Sequence, residues 1–364
     1  MHYSMRLTTI ILFLAGMACT SRLFAQTTEG SQDLATLYQQ IDEAIDRYPQ
    51  YVAHREQQID KSRQAFLSEA DPDKKFSSAA SLFSLYQPYQ VDSALRFAEV
   101  CISLADTLHR PDLKGSYLAQ KARLCSGIGM YVEAQDLLRQ VDKAALDRQG
   151  FTNYYDASMH VCGEIGSYSH LPAVRQDYFD RQDLYRDSVL MVAEKGSEAY
   201  LHLEMDVLSA RRMYQDALNV SDRWLKMVSD GTHENAFAAF YRSVVYDKLG
   251  NESQSRYWLA KSALDDIKCA VMDQASLLML AEHLGNDGDY DRSIRYARFG
   301  RECNIRFCDR LRTYQNSLVV NVLEKNYQNA RDGYVRLAVV AAVVIVLLLL
   351  LLAIGYFRRR ARQS

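Results

Sequence analysis

Apolar residues along most of this chain return every three or four positions, the period of a helix that buries one face. Leu137, Leu138 and Val141 form one such group, and Ile294, Ala297 and Phe299 form another. No segment alternates apolar and polar residues between turn signals as a strand would, so the chain is predicted to be all-α. The periodicity stops at Leu337. From there to Phe357 the run is apolar without interruption, and its 21 residues reach about 30 Å as a helix, the thickness of a bilayer core. This predicts a transmembrane helix over 337–357, followed by a short basic tail over 358–364. Just upstream, Leu311, Tyr314, Leu318, Val322 and Tyr327 recur at spacings of three to five. They predict an amphipathic juxtamembrane helix over 311–336. The stripe is short for a coiled coil, which favours docking on the preceding helices over a homodimer formed with a second copy.

The opposite end gives the orientation. Arg6 precedes an apolar stretch from Leu7 to Ala18, and Leu23-Phe24-Ala25 stands before Gln26. That is the layout of a secretory signal over 1–25, too short to span a membrane comfortably. The approach Gly16-Met17-Ala18 is a poor one for lipidation at Cys19. Arg358, Arg359, Arg360 and Arg362 follow the span, against Lys325, Arg331 and Arg336 before it. The positive-inside rule then puts the tail in the cytoplasm and residues 26–336 outside it.

A repeat runs through 26–310. Gly129-Met130-Tyr131-Val132-Glu133-Ala134 leads into the first apolar group named above. Arg212-Met213-Tyr214-Gln215-Asp216-Ala217 leads into Leu218 and Trp224. Gly250-Asn251-Glu252-Ser253-Gln254-Ser255 leads into Trp258 and Leu264, and Gly288-Asp289-Tyr290-Asp291-Arg292-Ser293 into Ile294. The first position of each unit ends one helix and makes the turn. The small residue at the last position lets two antiparallel helices approach, and the residue between, usually tyrosine, wedges against the preceding helix. Tyr214, Glu252 and Tyr290 follow one another at equal intervals. Tyr89-Gln90-Val91-Asp92-Ser93-Ala94 is an earlier unit, and the one around Leu171 to Val174 is degenerate. Equal spacing of helical hairpins predicts a stacked superhelix.

These turn, tyrosine and small-residue positions resemble tetratricopeptide repeats, although the units are longer than is usual in that family and mostly lack its early tryptophan-leucine-glycine signature. Over the whole chain, the order of signal, divergent hairpins, juxtamembrane helix and single span resembles bacterial membrane-anchored regulators that carry a domain of unknown function. Tyr89 to Ala98 and Val322-Leu323-Glu324-Lys325-Asn326-Tyr327-Gln328 carry that likeness. The resemblance implies a periplasmic sensor held in the inner membrane, with a cytoplasmic coiled coil and a helix-turn-helix-like output beyond the span. The sequence ends at Ser364 without such an output, so transcriptional control is not expected of this chain by itself.

Composition narrows the function further. A formal net charge of -2 removes the electrostatic case for a nucleic-acid surface. Cys101, Cys125, Cys162, Cys269, Cys303 and Cys308 are too scattered for a small disulfide scaffold, and most are expected to be buried. No two histidines stand at the i, i+4 spacing of a helical zinc site. His160 and His170 near Cys162 are read as packing residues. Asp287-Gly288-Asp289-Tyr290-Asp291 opens like a calcium loop but has Arg292 and Arg298 where glycine and glutamate are needed, and is read as a capped turn. Gly127-Ile128-Gly129 lacks the lysine of a phosphate loop and is read as a helix end. Asp265 and Asp266, neighbours on a helix, are expected to face apart. No nucleophile elbow is present.

The expectation is therefore a non-catalytic, cofactor-free binding module that recognises a protein or peptide on a concave helical surface. Tyr154, Tyr155, Tyr168, Tyr178, Tyr185 and Tyr200 divide between packing and that surface. The alternatives are a C-terminally sorted surface protein and, more remotely, an enzyme on a helical scaffold.

Overall fold

The computed structural model describes residues 33–307 and 310–363, and all regular structure among them is helical. The predicted signal, Cys19 and Cys308 lie outside the described residues, as do the side chains of Leu311, Arg359, Arg360 and Arg362. Helices α1 (33–46) and α2 (Tyr48–Ser68) open the fold. Six hairpins follow among the described residues: α3 (Pro72–Tyr86) with α4 (Val91–Thr107), α5 (Pro111–Gly127) with α6 (Tyr131–Arg139), α7 (Arg148–Tyr168) with α8 (Pro172–Val192), α9 (Glu198–Ala210) with α10 (Tyr214–Leu225), α11 (His233–Lys248) with α12 (Glu252–Lys268), and α13 (Ala275–Asp287) with α14 (Tyr290–Phe307). The long helix α15 (Arg310–Gln363) completes the chain.

Local chemistry starts and stops these helices. Proline occupies the first turn of α2, α3, α5 and α8, where its missing N–H costs nothing. Asp71, Asp147, Ser197, Thr232 and Asn251 accept a backbone N–H of the helix each precedes. The turns within hairpins use one device. Gly129, Arg212, Gly250 and Gly288 have φ of 86°, 61°, 72° and 88°. The residue after each donates its N–H five residues back, to the carbonyls of Cys125, Leu208, Tyr246 and Leu284. This left-handed closure satisfies the orphan carbonyls of the first helix and reverses the chain. The second helix then begins at Tyr131, Tyr214, Glu252 or Tyr290, and its fourth residue, Ala134, Ala217, Ser255 or Ser293, is buried. His109 and Ala270 make the same closure between hairpins, with φ of 51° and 53°.

The degenerate hairpin α7–α8 has its small residues on the first helix instead. A Cβ on Gly166 would lie 2.8 Å from the Phe179 ring, and one on Gly163 would lie 2.5 Å from Gln182 Nε2. The two helices therefore approach at Gly163 and Gly166.

The superhelix closes on itself. Leu37, Ile41, Tyr48 and Ile59 from α1 and α2 share one core with Leu259, Ile267, Leu280 and Tyr296 from α12 to α14. Asp42 pairs with Arg292 at 2.9 Å and with Arg295 at 3.3 Å, and Tyr296 Oη donates to the Tyr38 carbonyl at 3.1 Å. Arg55 reaches the Cys269 carbonyl at 2.8 Å, and the Met272 N–H reaches the Pro88 carbonyl at 2.9 Å.

α15 docks on this closed body, but not by the face expected from its spacing. Tyr314, Leu318 and Val322 are exposed, at 68%, 57% and 59%. Val320 and Leu323 are buried instead, with Val319 beside them, and Glu324 pairs with Arg298 at 3.2 Å. The seat explains the rotation: the Leu323 side chain lies 3.0 Å from where a Cβ on Gly285 would stand, so the approach depends on that glycine. Among the described residues α15 is the one helix long and apolar enough to cross a bilayer, and none of its apolar window is buried.

If the left-handed closure sets hairpin stability, the equivalent positions 288 and 212 should respond with opposite signs. Gly288→Ala forces a Cβ into that conformation and should cost about 1–2 kcal/mol. Arg212→Gly should stabilise by up to about 1 kcal/mol, since the relief is partly cancelled by the extra freedom of glycine in the unfolded chain. Urea denaturation of both variants checks this, and shifts in one direction would contradict it.

Candidate functional site

Closing the ring leaves a chamber of about 1140 Å³ at its centre. Its wall takes residues from α2 to α5, from α7 and from α11 to α14, so both ends of the array contribute. It is larger than most single-ligand pockets and mixes apolar surface with a few placed polar groups.

The aromatic part comes chiefly from α11. Phe237, Phe240 and Tyr241 lie at i, i+3 and i+4, so they share one helical face. Phe237 and Tyr241 meet edge to face at 4.9 Å, and Phe237 keeps 38% of its surface exposed, towards the chamber it lines. Behind them, Trp224 packs on Phe237 at 5.7 Å and His202 on Tyr241 at 4.0 Å. Burial drives the His202 pKa down to about 4, so this ring is neutral at ordinary pH and serves as an aromatic filler.

The polar wall residues Arg123, His160, His233 and Asp266 are each held by a partner, and the partners of Arg123 and His160 are not themselves wall residues. On α5 and α7, Arg123 bonds Asp156 at 2.8 Å, and His160 Nδ1 lies 2.8 Å from Ser126 Oγ. On α11 and α12, His233 Nδ1 lies 2.8 Å from Asp266 Oδ1, and Asn235 donates to Asp265 at 2.7 Å. The expectation that Asp265 and Asp266 face apart is therefore corrected. Both turn to α11, because the two helices pack along their length and Asn235 and His233 offer each carboxyl a partner. Burial pushes the Asp266 carboxyl up to about 6, with the His233 bond opposing it. Arg55 enters from α2 and makes no ion pair among the described residues.

Other residues singled out by sequence fall elsewhere. None of Tyr131, Ala134, Tyr214, Ala217, Gly250, Ser255, Gly288, Tyr290 or Ser293 lines the chamber; they sit at the hairpin turns. Gly127 and Ile128, at the end of α5, do reach its wall. Tyr155 and Tyr185 meet between α7 and α8, Tyr154 is buried against α5, Tyr200 joins an inner cluster, Tyr178 takes a bond from Gln135, and Tyr168 is exposed. The chamber's own tyrosine is Tyr241, which went unremarked in sequence although the spacing of Phe237, Phe240 and Tyr241 marks one helical face. Asp287 pairs with Arg256 and Asp289 with Arg292, so the calcium-like loop spends these two carboxylates on arginines. Among the described residues no group of three or more His, Cys, Asp or Glu is placed to hold a metal. Cys101, Cys125, Cys162 and Cys303 are buried free thiols, and Cys269 is a half-buried one. Arg336 and Arg358 stand exposed at the two ends of the apolar part of α15.

A family model described as the SusR N-terminal TPR domain matches residues 45–318. A comparison with curated proteins returns no match.

The Asp42 junction ties α1 to α14 where the ring closes. Asp42→Ala should cost about 1 kcal/mol, because it removes the carboxylate that Arg292 and Arg295 share, although Asp289 and Asp46 still pair with them. Asp136→Ala, which breaks an exposed pair with Arg139, should cost less than about 0.5 kcal/mol. Thermal denaturation of the two variants side by side measures the difference, and equal costs would refute a special role for Asp42.

Proposed function

The chain belongs to the family of SusR N-terminal TPR domains, and from that premise we propose that it is a membrane-anchored sensor whose central chamber captures a segment of a protein or peptide partner. The helical-repeat interaction module is the established part of this reading. Its location outside the cytoplasm, its anchoring in a bacterial inner membrane and its place in signalling are the proposed parts. They rest on the secretory layout of 1–25, the apolar run 337–357 and the arginines that follow it.

One observation carries the choice of site. The array closes around a wall that holds exposed aromatic surface at Phe237 beside polar groups fixed by hydrogen-bonded partners. Aromatic side chains give large contact area for little ordering cost, and the paired groups present donors and acceptors already oriented. A chamber of about 1140 Å³ admits an extended segment or a side-chain cluster of a partner, and excludes a whole folded domain. No catalytic role is assigned to any residue.

The reading is tested by a photo-crosslinking amino acid placed at Phe237, compared with one at Leu184, which is exposed on α8 and is no part of the chamber wall. Crosslinks to a partner should form at position 237 and be absent at 184. Phe237→Asp, at a side chain that is 38% exposed, should reduce partner capture at least tenfold while circular dichroism stays unchanged. Capture that survives the change would place binding on another surface. Recovery of a mature protein that ends before Leu337 would replace anchoring by C-terminal sorting.

A further inference from the structure

The seam that closes the ring runs through one turn, residues 269–272. Its elements are drawn together from four parts of the chain. The Cys269 carbonyl takes Arg55 of α2 at 2.8 Å, and Cys269 Sγ donates to the Gly231 carbonyl, just before α11, at 3.4 Å. Ala270 carries the left-handed φ of 53°, and Met272 N–H bonds the Pro88 carbonyl between α3 and α4 at 2.9 Å. The Tyr48 hydroxyl of α2 donates to Met272 Sδ at 3.2 Å. Asp266 starts this turn: its backbone carbonyl receives the Val271 N–H at 2.9 Å, while its side chain holds His233 at the start of α11. One residue therefore anchors both the turn that makes the seam and the helix beside it.

We infer that the His233–Asp266 pair is a proton-operated fastener of this seam, which holds α11, α12 and α2 together while the pair keeps a proton and loosens them when that proton leaves. The inference goes beyond partner capture and needs no ligand. The surroundings give it its direction. Facing the pair are Glu234 on α11, Asp265 beside it on α12, Asp273 after the turn and Arg55 from α2. Asp230, Lys261 and Lys268 stand around Asp265. Three carboxylates besides Asp266 thus outnumber the guanidinium of Arg55 next to the pair. With His233 protonated, the imidazolium compensates the buried carboxylate. Once it is neutral, Asp266 remains as a buried anion among other anions.

The signs agree. Burial works against the His233 cation, but the bond and charge of Asp266 outweigh it and raise the imidazole above its ordinary range. Burial likewise holds the Asp266 carboxyl at about 6. Both folded-state values lie above those of the unfolded chain, so the folded seam binds more protons than the unfolded one. Its stabilisation is therefore largest at low pH, declines as pH rises through about 6, and is lost above the raised value of His233.

Hydrogen exchange of the full-length protein in detergent, corrected for the intrinsic pH dependence of exchange, tests the fastener. In the native sequence, amides of α1 and α2 should exchange roughly three- to tenfold faster at pH 8.5 than at pH 6, with α5 and α7 unchanged. Asp266→Asn removes the buried charge and should abolish that difference, leaving α1 and α2 protected at both pH values. His233→Gln, which leaves Asp266 buried without its compensating cation, should keep α1 and α2 exchanging at least as fast at pH 8.5 as in the native protein, and it provides the check if Asp266→Asn does not fold. Equal protection of α1 and α2 at the two pH values in the native protein would overturn the inference. So would a difference that survives in Asp266→Asn, or α1 and α2 better protected at pH 8.5 in His233→Gln than in the native protein. Neither result would bear on partner capture, which is read at Phe237.

Discussion

The structure depends on the burial of α1 and α2 against α12 to α14. Hairpin repeats stacked in series make an open spiral unless their ends find each other. Here they meet through side chains that are both apolar and polar at one point. Tyr48 packs edge to face on Phe299 with ring centroids 4.7 Å apart, and its hydroxyl is held between Met272 and Cys303. Tyr296 is fully buried and still finds the Tyr38 carbonyl. A buried hydroxyl without a partner would cost more than the ring contributes, so each tyrosine fits only if the ring closes in one register. The two ends are far apart in sequence, but the entropic penalty for joining them grows only with the logarithm of the loop. The intervening hairpins are also already ordered by their own packing.

How much of this can be read in the sequence follows from the range of each interaction. The hairpin turns are legible at Gly129, Arg212, Gly250 and Gly288 because a left-handed closure is decided within a single helical turn and the residues just after it. The even spacing of Tyr214, Glu252 and Tyr290 is legible for the same reason. Ring closure is not, because it sums small rotations over every hairpin, and no local pattern encodes that sum. The face of α15 is misread for a different cause. Val319 and Val320 stand between Leu318 and Val322, so apolar residues lie on two sides of the helix. Only the partner decides between them, and the deciding feature is the bare backbone of Gly285. Glycine contributes nothing to a hydrophobic period, so its role as a seat leaves no trace in the pattern.

The chamber shows the same division. Phe237, Phe240 and Tyr241 form a legible helical face, but a face is ordinarily core. What makes this one a wall is that α11 lies opposite α2 and α3 across a closed ring, and that relation exists only after closure. The buried pairs behind and beside it are illegible too. Asp265 and Asp266 look like a solvated acidic step until α11 supplies Asn235 and His233 at matching heights. The mid-chain tyrosines attract attention by number alone; Tyr155 and Tyr185 meet between α7 and α8, where Gly163 and Gly166 permit a close approach, and the others are spread over different surroundings.

One consequence of the closure concerns the long helix. Phe307, the last residue of α14, lines the chamber and packs into the same core as Val320 and Leu323 of α15. Tyr48, Ile267 and Tyr296 of the seam belong to that core as well. Wall, seam and the seat of α15 are thus parts of one packed body, and close-packed interiors shift between discrete arrangements more readily than they deform. α15 is continuous for 54 residues, about 80 Å, with no break between its seat and its apolar end. An opening of the seam that moved α14 would therefore tilt or release the whole of α15, because no flexible link lies within the helix to absorb the displacement.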